Sequence, residues 1–266
     1  MTAIALTIAG SDSSGGAGIQ ADLKTFGALG VYGASVITAL TAQNTRGVTA
    51  IHDVPADFIA AQIDAVFSDL AVNAVKIGML SQVHAIKAVA AGLARHNAQY
   101  IVLDPVMVAT SGDRLLAPDA IAALCRDLIP RALVVTPNLH EAAALTDASL
   151  ARDETGMEAQ ARKILALGPR SVLIKGGHGD SQESVDLLVD ANGVVRLTAP
   201  RIDTRNTHGT GCTLSSAIAA GLARGLDLTA AAHAAKIYVT EAIKAADKLT
   251  VGHGHGPLNH FHDWWR

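Results

Sequence analysis

Aromatic side chains are scarce in this sequence. Phe, Trp and Tyr make up 3% of its 266 residues, although 50% of the residues are hydrophobic. The core must therefore be built from Ala, Val, Leu and Ile. A chain of this length buries a large core, and single α/β domains of about 250 residues are common.

Charge of one sign, long apolar runs and cysteine are also scarce. With 21 Lys and Arg against 24 Asp and Glu, and with no basic run, the sequence predicts no nucleic-acid or anionic-membrane partner. No apolar stretch without charge reaches about 18 residues, and residues 1–10 have no basic region, so we expect neither a transmembrane helix nor a signal peptide. The two cysteines, Cys125 and Cys212, are typical of reduced thiols in a cytoplasmic protein.

The chain instead alternates short apolar runs with helical patterns. Strands are predicted over 3–9, 31–40, 48–54, 74–77, 100–103, 133–135, 171–174, 185–189 and 194–197. Helices are predicted over 16–29, 56–70, 83–96, 119–128, 139–145, 157–167, 213–224 and 229–246. Repeated β–α–β units indicate an α/β fold with a mostly parallel sheet and helices on both faces. No linker or repeat interrupts the pattern, so we expect one domain over residues 1–266.

Polar and glycine-rich segments follow the predicted strands. In parallel sheets, ligands bind at the carboxyl ends of the strands, so we expect these segments to meet at one edge. They are residues 10–18, 41–45, 78–79, 104–114, 136–141, 175–178 and 206–212.

The most informative of these segments ends in Gly209, Thr210, Gly211 and Cys212 and opens into an apolar helix. Glycine-rich backbone and a helix N-terminus together form an anion site, which suggests phosphoryl transfer. Cys212 is a candidate base, and the helix N-terminus predicts a lowered pKa for its thiol. A nucleophilic cysteine with His208 as base, or a small buried residue, are the alternatives.

Other segments each allow two interpretations. The loop 10–18 is a ligand cradle or a flexible turn, and it lacks a Walker A lysine. Asp104 ends a strand and either holds Mg²⁺ through water or belongs to an ordinary connection, followed by a predicted lid over 108–116. Asn138 and Glu141 are Mg²⁺ ligands, a capping box, or both. Lys175 is a phosphate ligand or a surface lysine.

A further segment that allows two interpretations lies near the end of the chain. The histidines at 253, 255, 260 and 262 form a metal site or belong to a packed terminal loop.

In this order, the segments resemble the hydroxymethylpyrimidine/phosphomethylpyrimidine kinases of thiamine biosynthesis, in the ribokinase-like superfamily. The resemblance covers nearly the whole chain, including its Gly-His-Gly-His-Gly ending. It is carried by residues 9–26, 42–45, 76–80, 104–107, 136–142, 175–178 and 209–212.

The resemblance implies a ribokinase-like three-layer α/β/α sandwich and a kinase activity. ATP would phosphorylate the hydroxymethyl group of 4-amino-5-hydroxymethyl-2-methylpyrimidine, and a second turnover would give the diphosphate. Mg²⁺ would be the cofactor, and the protein would form a homodimer. The partners would otherwise be small molecules.

The resemblance also assigns roles to residues. Gln43 would hydrogen-bond the aminopyrimidine, and Gly10, Asp22 and Met79 would line the same pocket. The backbone of Gly209, Thr210, Gly211 and Cys212 would hold the transferring phosphoryl group, with Cys212 standing where many relatives carry an aspartate base. ATP would be bound by Lys175, Asp104, Thr210 and Gly211. Mg²⁺ would be held by Asn138, Glu141 and Asp104.

Three other functions stay open at this point. The first is a pyridoxal or pyridoxine kinase of the same superfamily, whose substrate is also a flat hydroxymethylated heterocycle. The second is a non-catalytic protein that keeps the pyrimidine pocket. The third is a cysteine hydrolase, which requires His208 to face Cys212.

Overall fold

A computed structural model describes residues 1–107, 116, 118–177 and 182–265 of the chain. Its strands are β1 (Ile4–Ala9), β2 (Tyr32–Ile37), β3 (Ala39–Asn44), β4 (Gly47–Asp53), β5 (Ala74–Ile77), β6 (Ile101–Leu103), β7 (Val134–Val135), β8 (Ser171–Lys175), β9 (Glu183–Asp190) and β10 (Val194–Pro200). Its α-helices are α1 (Gly18–Ala28), α2 (Ala56–Phe67), α3 (Val83–Arg95), α4 (Pro118–Asp127), α5 (Leu139–Thr146), α6 (Glu154–Leu165), α7 (Thr210–Ala223) and α8 (Leu228–Lys244). The predicted lid over 108–116 lies, except for residue 116, outside the described residues.

The main sheet has eight strands in the order β10-β9-β8-β7-β6-β5-β1-β2. The strands from β8 to β2 pair in parallel, and β9 and β10 are antiparallel to their neighbours. The predicted, mostly parallel sheet is confirmed. Because the parallel strands end at one edge, the polar segments that follow them are brought together there.

Helices cover both faces of this sheet and bury two apolar clusters against it. One cluster lies under α2 to α6 and includes Ile63, Ile86 and Ile164. The other lies under α1, α7 and α8 and includes Phe26 and Ile218. The three-layer α/β/α architecture is confirmed, and it is filled largely by aliphatic side chains. Within the described ranges, no helix has the length and apolar composition needed to cross a membrane.

The strand predicted over 31–40 is wrong in one respect, because the chain forms two strands there. β2 ends at Ile37, and the hydroxyl of Thr38 donates to the carbonyl oxygen of Met79 at 3.0 Å. β3 then leaves the main sheet and pairs with β4 in a separate antiparallel ribbon. The segment expected to be a loop at 41–45 is therefore mostly strand, and it carries Gln43 over the carboxyl edge of the main sheet.

The packing of α2 on α3 gives a test of this core. A Cβ added to Gly92 on α3 would lie 2.9 Å from both Cδ1 and Cγ2 of Ile63 on α2. We expect Gly92→Ala to lower the free energy of unfolding, because overpacking costs about 1–3 kcal/mol and outweighs a gain in helix propensity of up to about 1 kcal/mol. Urea unfolding of the purified variant measures the change.

The matched control is Gly27→Ala on α1, where an added Cβ meets nothing within 4 Å. Because the site is open and helical, this variant is expected to raise the free energy of unfolding by about 0.5–1 kcal/mol. A change of the same sign in both variants would contradict the packing described for α2 and α3.

Candidate active site

The N-terminus of α7 is the centre of the candidate site. Gly209 has φ of +84°, and a Cβ there would lie 1.9 Å from the carbonyl oxygen of Gly16, so only glycine fits. A Cβ on Gly211 would lie 3.1 Å from Nζ of Lys175 and 3.6 Å from Oδ2 of Asp104. The first turn of α7 therefore begins directly beside a lysine and a carboxylate, at the carboxyl edge of the sheet.

Lys175 is an internal cation and not a surface lysine, so the surface interpretation is wrong. Its Nζ donates to Oδ1 of Asp104 at 2.7 Å and lies 3.8 Å from Oε2 of Glu141. Burial opposes the charge, but the two carboxylates outweigh burial and raise the pKa of Lys175. Thr136 donates its hydroxyl to the same Asp104 oxygen at 3.0 Å, which fixes that carboxylate.

Asn138 and Glu141 form the predicted capping box of α5. Oδ1 of Asn138 accepts from the N–H of Glu141 at 2.9 Å, and Oε2 of Glu141 accepts from the N–H of Asn138 at 2.8 Å. The backbone of Asn138 also bridges to that of Lys175, which holds both residues beside the end of β8. Burial raises the pKa of Glu141 to about 7, partly against the field of Lys175. The cap thus fixes two oxygen-bearing side chains at the edge of the site.

The expected ionisation of Cys212 is wrong. Burial raises the pKa of its thiol to about 11, and the nearby Asp22 and Asp104 add to the increase. The charge of Lys76 and the N–H of Gly18 act in the opposite direction but do not compensate. Desolvation therefore outweighs the helix N-terminus, and the thiol is protonated at neutral pH.

Asp22 lies fully buried below this edge. Its carboxylate accepts from the hydroxyl of Thr7 at 2.6 Å, from that of Ser216 at 2.7 Å, and from Nζ of Lys76 at 2.8 and 2.9 Å. Sequence reasoning missed Lys76 as a functional partner. The signal was present, because a lysine in the otherwise apolar strand β5 must be paired when the strand is buried on both faces.

Gly10 and Met79 lie against each other, as a shared pocket requires. A Cβ on Gly10 would be 2.5 Å from Cε of Met79. Gln43 on β3 is tied to the loop after β1, since its N–H donates to Oγ of Ser13 at 2.9 Å. The structure thus places Gln43 above the same loop that Gly10 begins.

A second pair missed by sequence reasoning is Asp12 with His208. Oδ2 of Asp12 lies 2.8 Å from Nε2 of His208, and its carboxylate also accepts from the N–H groups of Ser14, Gly16 and Ala17 at 2.9, 3.1 and 2.8 Å. Burial works against the ionised carboxylate, but these hydrogen bonds lower the pKa of Asp12 below its usual value. The pair clamps the first loop onto the start of α7.

The C-terminal histidines do not assemble into a metal site. Nε2 of His260 lies 3.0 Å from Oγ1 of Thr213, and burial lowers its pKa to about 4. The backbone of His255 donates to the carbonyl oxygen of Thr45 at 2.8 Å. In the part of the chain that the structure describes, no group of three or more His, Cys, Asp or Glu side chains could hold a metal ion.

The pKa of Cys212 can be measured from its alkylation rate. In a Cys125→Ser background Cys212 is the only thiol, since the chain has two cysteines. Because only the thiolate reacts, the rate with iodoacetamide is expected to rise about tenfold per pH unit from pH 7 to about pH 10, without a plateau. A free thiol with a pKa of about 8.5, measured in parallel, levels off. A plateau for Cys212 below about pH 9.5 would contradict the burial argument.

Known proteins share both the sequence and the fold of this chain. A family model described as phosphomethylpyrimidine kinase matches residues 12–259. A hydroxymethylpyrimidine/phosphomethylpyrimidine kinase of Rhizobium meliloti is 64% identical over 266 residues, which are 100% of both chains. A solved phosphomethylpyrimidine kinase of Clostridium difficile superposes with a TM-score of 0.80 at 49% identity, covering 90% of this chain and 99% of the other.

A pyridoxal kinase has the same fold. The structure of the Bacillus subtilis pyridoxal kinase in complex with ADP superposes with a TM-score of 0.90 at 39% identity and covers 98% of both chains. The fold is therefore ribokinase-like. By the extent of the family match and the identity over its full length, the chain belongs to the phosphomethylpyrimidine kinase family.

Proposed function

We propose that this protein uses ATP to phosphorylate the hydroxymethyl group of 4-amino-5-hydroxymethyl-2-methylpyrimidine, and then phosphorylates the monophosphate to the diphosphate, for thiamine biosynthesis. The observation that carries the proposal is Lys175, whose side chain is only 14% exposed, beside Asp104 at the glycine-rich start of α7. A binding protein without catalysis has no need for a cation and a helix N-terminus at this point. Membership of the kinase family supports the same activity.

Phosphoryl transfer depends on positioning and on neutralising charge rather than on covalent chemistry. The backbone N–H groups of Gly209 and Gly211 would provide an anion cradle for the transferring group, while the N–H of Thr210 donates to the carbonyl oxygen of Thr207 at 3.2 Å. Lys175 stands beside that cradle as a fixed positive charge for the ATP phosphates. Its ion pair with Asp104 keeps it charged and directed before ATP binds.

The donor set beside Lys175 fits a magnesium ion. Two carboxylates, from Asp104 and Glu141, face the single positive charge of Lys175, which leaves one net negative charge in the cluster when both are ionised. Carboxylate and amide oxygens suit Mg²⁺ that keeps several waters. Asp104, Asn138 and Glu141 would hold the ion, and Mg²⁺ would neutralise charge on the ATP phosphates.

The pyrimidine would lie over the loop after β1. Gln43 would pair with its amino group and ring nitrogen, while Gly10 and Met79 would contact the ring. Asp22 would support the pocket from below without a hydrogen bond to the pyrimidine, because protein donors already fill its carboxylate.

The thiolate of Cys212 would accept the hydroxyl proton. Because the pKa of this thiol is raised, the thiolate is the scarce form at neutral pH.

A pyridoxal kinase activity is the second candidate, because the Bacillus subtilis pyridoxal kinase has the same fold over 98% of this chain. We also propose that the protein is a cytoplasmic homodimer. The exposed Leu40 on the β3–β4 ribbon supports an association surface.

The proposed function is tested by product analysis with ATP and Mg²⁺. The aminopyrimidine alcohol and pyridoxine are offered in parallel, and products are separated by chromatography. We expect pyrimidine monophosphate and diphosphate together with ADP. Pyridoxine phosphate as the sole product would indicate a pyridoxine kinase instead. Tight pyrimidine binding without formation of ADP would favour a non-catalytic protein.

The role of Cys212 is tested by replacing the thiol. Cys212→Ala is expected to lower kcat by about 100-fold, the lower range for loss of a general base, with a smaller effect on pyrimidine affinity. Since the thiolate fraction grows with pH below a pKa of about 11, kcat of the wild type should rise from pH 6 to about pH 9. Cys212→Asp is the matched variant, in which an ionised carboxylate restores turnover and flattens the profile. Full turnover in Cys212→Ala would remove Cys212 from the mechanism.

A further inference from the structure

The side-chain amide of Gln43 lies between two groups that are themselves held in place. Oε1 of the amide is placed 3.1 Å from Oγ1 of Thr41, and Nε2 of the amide is placed 3.4 Å from Nε2 of His208. The oxygen and nitrogen of an amide have nearly the same size and shape. Which end is which therefore follows from what each neighbour can donate or accept.

Thr41 can only accept a hydrogen bond from Gln43. Its hydroxyl has one proton, and the carbonyl oxygen of Ser11 lies 2.8 Å from Oγ1. A carbonyl oxygen only accepts, so the hydroxyl proton of Thr41 is committed to Ser11. The end of the amide that faces Thr41 must then be the nitrogen, which donates to the hydroxyl oxygen.

Nε2 of His208 cannot accept a hydrogen bond from Gln43. That nitrogen lies 2.8 Å from the carboxylate of Asp12, in a buried pair. The other hydrogen bonds to Asp12 keep it ionised, so it accepts and Nε2 must carry the proton. The end of the amide that faces His208 must therefore be the oxygen.

We propose that Thr41 and His208 are positioning residues that fix the amide of Gln43 in one orientation, turned by about 180° from the placement above, with its nitrogen toward Thr41 and its oxygen toward His208. Both neighbours independently require this orientation. Each is anchored by a partner on the loop after β1, Ser11 for Thr41 and Asp12 for His208. The loop thereby sets the direction of a side chain that it does not contain.

This orientation decides which way round an aminopyrimidine lies, an inference that rests on the proposed function. The second N–H of Gln43 is left for the ring nitrogen, and the second lone pair of its oxygen is left for the amino group. The amino group then lies on the side of His208, which directly precedes Gly209. The hydroxymethyl group is on the neighbouring ring carbon, so it lies on the side of the phosphoryl cradle. A reversed amide would direct the hydroxymethyl group away from it.

The test compares the affinities of the aminopyrimidine alcohol and of the analogue that lacks the amino group. The dissociation constant of the analogue divided by that of the alcohol, both measured by calorimetry, reports how well the amide recognises the amino group. Thr41→Val and His208→Leu remove the two positioning contacts. Each is expected to lower the ratio by about five- to tenfold, the effect of one hydrogen bond.

Conservative variants show that the hydrogen bond, and not the shape, is responsible. Thr41→Ser keeps the hydroxyl and His208→Gln keeps an N–H donor at similar reach, so both should retain most of the wild-type ratio. The melting temperature and the affinity for a non-hydrolysable ATP analogue are followed as controls for folding. Asp12 keeps its backbone donors in His208→Leu, and Thr41→Val gives an independent measurement.

The outcomes separate this proposal from the proposed function. A wild-type ratio in either Thr41→Val or His208→Leu would overturn the positioning role. If the wild-type protein binds both compounds equally, the proposed substrate is wrong. If Gln43→Ala keeps the wild-type ratio while the wild-type protein still phosphorylates the pyrimidine, the activity stands and the positioning proposal fails.

Discussion

The carboxylate of Asp22 is the single group on which the arrangement of the site depends. It stands on α1 and is bonded to Thr7 of β1, Lys76 of β5 and Ser216 of α7. Two helices and two central strands are thereby joined at one point with no exposed surface. An unpaired charge at this depth is unstable, and removing one partner of a buried ion pair typically costs about 3–5 kcal/mol. The pair therefore specifies where α1 and α7 lie more than it adds to stability.

The same pair explains why the chemistry of α7 differs from what its sequence predicts. Ser216 is one turn after Cys212 and faces the same side of α7. Cys212 is half-buried and points toward this pair, where desolvation disfavours its ionisation. A glycine-rich helix start predicts an anion site correctly, but the pKa of a side chain there depends on how much water it retains, which spacing alone does not show.

Much of the fold was readable from apolar periodicity, because parallel strands covered on both faces leave long apolar runs. The β3–β4 ribbon was not, since a continuous apolar run over 31–40 hides the point at Thr38 where the chain leaves the sheet. In the site, the convergence of Asp104, Asn138, Glu141 and Lys175 followed from topology. The contacts of Asp22 with Lys76 and of Asp12 with His208 did not, because each joins residues far apart in sequence without any local pattern.

The contact between Asp12 and His208 has a consequence for when the site can form during synthesis of the protein. Its two members are 196 positions apart, and Asp22 and Ser216 are separated by 194. Contacts of such long range form late, because much of the chain must be ordered before they can close. A growing chain with all six parallel strands already synthesised still lacks the helix that completes the pocket. Because α7 begins at residue 210 of 266, the site cannot be assembled until about four-fifths of the chain has been synthesised.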